Sequence, residues 1–225
     1  MVKDWRELFQ DKELPFYYVQ LPRFKRDPWY HFRNVQREIS RSLPHSFMAI
    51  TIDIPMDYEL NRTYEESVVY DAAHPDTLTE RNVHPIHPLI KAPIGERLAM
   101  GAKALVYGIK GDGEYTGPMI ESAVLENDKI RLSFKFTSDK LKSIDKMPLR
   151  GFFVSGPDQK FVKAEADIDG KSILLHSFGV LQAKTVRYGA EEDIPQNSTL
   201  NLNLVNQQNL PTSPFTEEIV NESKN

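Results

Sequence analysis

Two short apolar runs on either side of one helical pattern constrain this chain more than any other feature. Leu14-Pro15-Phe16-Tyr17-Tyr18-Val19-Gln20-Leu21 and Phe47-Met48-Ala49-Ile50-Thr51-Ile52-Asp53-Ile54 are short for helices and rich in aromatic or β-branched side chains, so each predicts a strand. Between them, after Pro28, the residues Trp29, Phe32, Val35, Ile39 and Leu43 recur every three or four positions up to Pro44, with Arg and Glu in the intervals. That spacing predicts an amphipathic helix packed on a sheet whose strands are buried on both faces. A short helix is expected before the first strand, from Trp5, Leu8 and Phe9 in the charged segment 3–13. A strand-helix-strand crossover runs its strands parallel, and ligands collect beyond their carboxyl ends. Function is therefore to be sought just after Ile54.

Residues 55–90 are rich in Pro, Asp, Glu and His and carry no sustained period. A connection of that length in a compact domain is usually functional or disordered. It leads into another helix, with Pro93 in the first turn and Ile94, Leu98, Ala102 and Leu105 as its expected inner stripe.

Beyond Tyr107 the pattern changes to alternation punctuated by turns, beginning with Gly108, Gly111, Asp112 and Gly113. Residues 120–125 and 129–136 flank Glu126-Asn127-Asp128, and residues 161–168 and 172–175 flank Asp169-Gly170, a two-residue hairpin signal. Residues 151–155 and 184–188 add further strands. The expectation is an α/β part followed by an antiparallel β-sandwich, with a fraying polar end.

Composition narrows the partners. The formal charge of -4 and the absence of a clustered basic face give no basis for nucleic-acid binding. No apolar run reaches the roughly 20 residues that cross a bilayer, so no membrane partner is expected. The 225 residues include no cysteine, which removes disulfides, thiolate metal sites and cysteine nucleophiles.

The sharpest local motif is Asn82-Val83-His84-Pro85-Ile86-His87-Pro88, two histidines in a proline-stiffened loop between a central strand and a helix. A neutral imidazole there can take a proton from a hydroxyl and return it to a leaving group near neutral pH. The same residues can equally cap backbone groups or face water. Zinc would need a third ligand, and Pro85 opposes the helical spacing that paired histidine ligands usually adopt.

The flanking residues extend the motif. The segment Ile86-His87-Pro88-Leu89-Ile90-Lys91-Ala92-Pro93-Ile94-Gly95-Glu96-Arg97-Leu98-Ala99 resembles the block around the catalytic histidine of bacterial sialate O-acetylesterases, which are SGNH hydrolases. Asp4-Trp5-Arg6, Leu14-Pro15-Phe16, Val19-Gln20-Leu21, Arg33 with Gln36, the strand 50–54, Val186-Arg187-Tyr188 and Leu210-Pro211-Thr212-Ser213-Pro214-Phe215 resemble further landmarks of that family, in its order.

The resemblance implies the carboxy-terminal part of an SGNH-like α/β esterase domain with a parallel three-layer sheet over 1–108, a β-sandwich domain over 109–216 and a flexible tail over 217–225. It implies serine ester hydrolysis on O-acetylated sugars, with His87 as general base and no cofactor or metal. It also implies that the nucleophile lies in a Gly-Gln-Ser-Asn-like element upstream of the matched region. The 225 residues hold no such element, so the chain is expected to begin inside a larger domain and to be inactive without a missing N-terminal esterase segment. Full-length family members are often exported.

Two departures follow from the residues. Many SGNH hydrolases carry an aspartate three residues before the histidine to fix its tautomer, and here that position is His84. His87 is then expected to work in a Ser-His dyad, to orient on a backbone carbonyl, or to borrow a more distant carboxylate, for which Asp53 and Asp57 are the candidates. Ser40, Ser42, Ser46, Ser67 and Ser213 lack a strained strand-to-helix turn that would activate them. Arg187 and Tyr188, with Asn203 and Asn206, are candidate sugar contacts; Tyr188 and Phe215 also fit packing roles at a domain interface. The rival to the esterase reading is a carbohydrate-binding or structural β-sandwich module without catalysis.

Overall fold

The computed structural model describes residues 1–23, 28–54, 88, 90–109, 111, 113–176, 179–190 and 202–221. Helix α1 (Val2–Leu8) leads into strand β1 (Phe16–Val19), helix α2 (Trp29–Ser42) and strand β2 (Ser46–Ala49). β1 and β2 pair in parallel, with Phe16 opposite Ser46 and Val19 opposite Ala49. The crossover expected from the two apolar runs is therefore present, and both strands are shorter than their runs.

Helix α3 (Ala92–Leu105) starts with proline in its first turn. Successive side chains of β1 point to opposite faces. Tyr18 donates its hydroxyl to the Gln36 carbonyl of α2 at 2.6 Å, whereas Tyr17 donates to the Gly101 carbonyl of α3 at 3.1 Å. The two helices thus sandwich the strand pair. Contact with α3 needs Gly101, because a Cβ there would lie 2.7 Å from the ring of Phe47. The contact face of α3 centres on this glycine, and Leu105, expected on the inner stripe, is exposed.

Helix α2 departs further from expectation. Its apolar stripe faces outward, with Phe32 56%, Val35 55% and Ile39 39% exposed. The buried face holds Tyr30, Arg33 and Arg37 and packs against the β-rich part. Arg33 donates to the Gly189 carbonyl at 2.8 Å, Arg37 meets Glu217 at 3.3 Å, and Asn34 accepts the Thr216 amide at 3.1 Å. Two guanidinium groups can be buried because each finds acceptors on the strands they cover.

The β-rich part is built from β3 (Met119–Glu126), β4 (Lys129–Lys135), β5 (Lys142–Ser143), β6 (Phe152–Ser155), β7 (Val162–Lys163), β8 (Glu165–Asp169), β9 (Ser172–His176), β10 (Thr185–Tyr188), β11 (Leu204–Val205) and β12 (Phe215–Asn221). Eight of these strands form one continuous sheet, ordered β7-β6-β10-β12-β3-β4-β9-β8, and β5 pairs with β11 separately. The hairpins at 126–128 and at Asp169-Gly170 form where expected.

Two expectations need correction. A sandwich of two antiparallel sheets was expected; instead β12 links the strands into one mixed sheet, pairing antiparallel with β10 through residues 215–218 and parallel with β3 through residues 219–221. Because β12 returns from the far end of the chain, its direction is free of the hairpin constraint. Residues 217–225 were expected as a flexible tail, yet residues up to Asn221 lie within β12, where 217 and 218 pair with β10 and 219–221 with β3. Phe215 and Ile219 alternate inward and anchor that strand despite its charged outer positions. The last part of a parallel three-layer sheet was expected for 1–108; the described residues there supply one parallel strand pair with a helix on each face, within a structure that is mostly β-sheet.

One hydrophobic core crosses position 108. Met48, Ile50 and Ile52 pack in the same cluster as Ile120, Leu132, Val186 and Phe215. The strand-helix unit is held rigidly to the sheet, because its second strand contributes side chains to the sheet's own interior.

Candidate active site

The carboxyl ends of β1 and β2 meet the loop 210–214 and the first half of α3. Gln20, the residue after β1, donates its amide N–H to Ala49 at 2.9 Å and so extends the ladder by one step. Its side chain is 1% exposed and donates through Nε2 to Ser213 Oγ at 3.3 Å. Thr51 Oγ1 closes the strand ends by donating to the Gln20 carbonyl at 2.9 Å. These groups form a polar floor beneath the point where the chain leaves β2.

Arg97 fixes that exit. Its guanidinium donates Nη1 to Asp53 Oδ1 at 2.7 Å and Nη2 to Asp53 Oδ2 at 2.6 Å, and Nη1 also reaches the Ile50 carbonyl at 2.6 Å. A planar fork matched to a carboxylate is a rigid arrangement. It ties the turn after β2 to the third helix. Lys91 donates to the Pro88 carbonyl just before α3 begins.

His84, His87 and Asp57 lie outside the described residues, as does Ser67. Asp53, expected at the end of the strand, lies in the turn beyond β2 with both oxygens engaged by Arg97. The described serines are bonded to nearby acceptors: Ser40 Oγ to the Arg37 carbonyl, Ser42 Oγ to Glu38 and Ser46 Oγ to Leu43. Ser213 is fully buried, accepts from Gln20 and donates to the Pro214 carbonyl at 3.3 Å. None of these four is both exposed and paired with a base.

The candidate sugar contacts in the β-rich part sit in packed settings. Tyr188 is 1% exposed, with its ring 4.7 Å from Phe152 and 5.7 Å from Phe215, and burial pushes its phenol well above the ordinary range. Arg187 lies 3.7 Å over the Phe161 ring and 4.5 Å over Tyr30, and donates to the Tyr30 hydroxyl, so it joins α2 to β10. Asn203 and Asn206 are fully buried. Asn206 donates to the carbonyls of Thr116 and Phe136, and Asn203 accepts the Arg150 amide while its Nδ2 faces Asp145 at 2.9 Å.

Sequence reading missed the floor formed by Gln20 and Thr51, and it placed Arg97 on its helix without its partner. The available signal was polarity out of place: Gln20 interrupts an apolar run, and Asp53 ends another. A polar residue at such a position must find a partner on folding.

The fold and site together define a class: a parallel strand-helix-strand unit, with a polar site at its strand ends, seated on a mixed β-sheet. No family model matches the sequence, and no curated protein does. The chain is similar to the crystal structure of a carbohydrate acetylesterase from Xanthomonas citri, with 30% sequence identity and a TM-score of 0.74. The match covers 96% of this chain and 44% of that enzyme's chain, so the present sequence spans under half of its solved neighbour. This supports a carbohydrate esterase relationship.

Proposed function

We propose that this chain is part of a carbohydrate O-acetylesterase acting on sialic acid or on other acetylated sugars, and that it supplies the histidine side of the active site. The single observation carrying this reading is likeness over 96% of the chain to a carbohydrate acetylesterase. The motif around His87 agrees with it: in chain order it falls between β2 and α3, which Asp53 and Arg97 tie together.

In this reading a serine from polypeptide outside the 225 residues attacks the acetyl carbonyl, and His87 takes the serine proton. The tetrahedral oxyanion collapses as the histidine protonates the sugar oxygen, which leaves. Water, deprotonated by the same imidazole, then releases acetate from the acyl-serine. Asp53 is a poor orienting group for His87, because Arg97 already neutralises its carboxylate; Asp57 or a backbone carbonyl takes that role. Tyr188 serves packing, while Arg187 stays the candidate for a sugar contact from the β-rich part.

The test is acetate release from an O-acetylated sugar by three proteins: this chain alone, a longer chain that includes a Gly-Gln-Ser-Asn-like element, and that longer chain with His87→Ala. Activity only in the second is expected. Full activity in the third sinks the assignment, and sugar binding without hydrolysis by the second favours the non-catalytic module instead.

A further inference from the structure

A cleft of about 880 Å³ opens between the last two turns of α3 and the connection into the β-rich part. Among the described residues, Met100, Ala104 and Ile109 give it an apolar wall, and Lys103, Glu114 and Gln208 bring polar groups to it. A concave site of that size, mostly apolar with a few convergent polar groups, is the usual form of a small-ligand site.

The polar groups are held in place without being used up. Ser138 fixes two of them: its amide N–H donates to Glu114 Oε1 at 3.2 Å, and its hydroxyl donates to Gln208 Oε1 at 2.7 Å. The other end of the Gln208 amide lies against Gly113, where a Cβ would stand 2.1 Å from Nε2. Glycine at 113 therefore makes room for the amide. Among the described residues nothing accepts from Gln208 Nε2, Lys103 Nζ or the Tyr115 hydroxyl, and nothing donates to Glu114 Oε2.

The cleft is continuous with the strand-end site. Arg97, Met100 and Ala104 stand at i, i+3 and i+7, so one face of α3 runs from the Asp53 pair into the cleft. At about 1.5 Å of rise per residue, Arg97 and Ala104 lie about 10 Å apart along the helix. Tyr115 lines both this cleft and a smaller crevice bordered by Arg97, Ile50 and Pro211.

We infer that the cleft is a carbohydrate subsite, holding neutral sugar units of an oligosaccharide whose acetylated unit sits at the strand ends. The inference rests on the esterase reading for the place of the acetyl group. A sugar ring has an apolar C–H face and a rim of hydroxyls, which matches an apolar wall beside unspent donors and acceptors. A fatty acyl chain would instead bury the Gln208 amide and the free Glu114 oxygen without partners, which opposes its binding. Lys103 and Glu114 carry opposite charges, so the wall gives an anion no net attraction, and the units it holds are neutral.

The experiment titrates this chain with cellohexaose, xylohexaose and mannohexaose, and with glucose, and follows backbone amide shifts by NMR. At least one hexasaccharide is expected to shift the amides of Lys103, Glu114, Tyr115 and Gln208 in a saturable way, with glucose bound at least about tenfold more weakly because it reaches fewer of these groups. Gln208→Leu keeps the bulk and removes the donors, and should weaken hexasaccharide binding at least about tenfold. Lys103→Ala, on the exposed helix surface, should weaken it about threefold or more. Phe32→Ala on α2 should leave binding unchanged, and melting temperatures separate a lost contact from a lost fold. No response to any of the three hexasaccharides, shifts confined to other surfaces, or binding indifferent to both cleft substitutions overturns the inference. So does a homodimer of the chain that buries Ile109 and excludes the sugars. These readouts need no catalysis. In the longer chain, hexasaccharide bound at the cleft without acetate release defeats the esterase reading and leaves the subsite. Acetate release whose KM for an acetylated hexasaccharide is unmoved by Gln208→Leu does the reverse.

Discussion

Arg97 of α3 and Asp53 after β2, 44 residues apart in the chain, are joined by two parallel N–H to oxygen bonds of 2.7 and 2.6 Å. The guanidinium is 12% exposed and the carboxylate 33%, so water screens the pair only in part. Arg97→Ala should lower stability by about 1–2 kcal/mol, and Arg97→Lys by less, since an ammonium keeps the charge and loses the fork. Urea denaturation of both variants checks this; equal losses would show that charge alone matters.

Glu217 on β12 holds a cation taken out of water. Arg37 has a 1% exposed side chain, and burial lowers its pKa while Glu38 and Glu217 oppose the shift. Glu217→Ala should cost about 2–3 kcal/mol by leaving the guanidinium short of a partner, whereas adding Arg37→Met to it should recover part of that loss. A double-mutant cycle by chemical denaturation reads the coupling, and strict additivity would refute it.

Gly117 marks the closest backbone approach between the start of the β-rich part and the loop before β12. A Cβ there would lie 1.8 Å from the Pro211 carbonyl oxygen. Gly117→Ala should cost about 3 kcal/mol or more, because the obstacle is backbone and cannot rotate away. A thermal midpoint near that of the parent would count against this packing.

Asp145 gives the chain an acid-sensitive turn. Its carboxylate accepts from Asn203 at 2.9 Å, from Arg150 at 2.5 Å, from Ser143 at 2.8 Å and from the Met147 amide at 3.1 Å, which holds its pKa well below the ordinary carboxylate range. In the unfolded chain an aspartate titrates near about 3.9. Between that value and the depressed folded one the unfolded state binds more protons, so the stabilisation is complete above about pH 4 and is lost as pH falls. Asp145→Asn should be less stable at neutral pH and show a shallower loss from about pH 4 downward. Parallel slopes for the two proteins in acid would contradict the assignment.

Much of the local structure was legible from side-chain order. The hairpin at Asp169-Gly170, the proline start of α3 and the strand-helix-strand unit follow from turn chemistry, capping and periodicity, all of which act over a few residues. The direction in which α2 faces was not legible. Its period of apolar residues is the same whether Phe32, Val35 and Ile39 meet this chain's core or another polypeptide, and Arg33 and Arg37 read as solvated until the strands that receive them are in place. Less of the site was legible. Asp53 stood out as a candidate orienter of His87, but the partner it has is Arg97, 44 residues away and brought to it only by the packing of α3 on the strand pair.

By itself the sequence determined the strand-helix-strand unit, the proline start of α3 and the turns of two hairpins. Those properties depend on neighbours within about one or two turns of chain. Tertiary structure alone decided that eight strands share one sheet, that the polar end 217–221 becomes a central strand, and that Asp53 binds Arg97. Each of these is a pairing between distant residues, chosen by burial and hydrogen-bond satisfaction over the whole chain, and no local pattern encodes it.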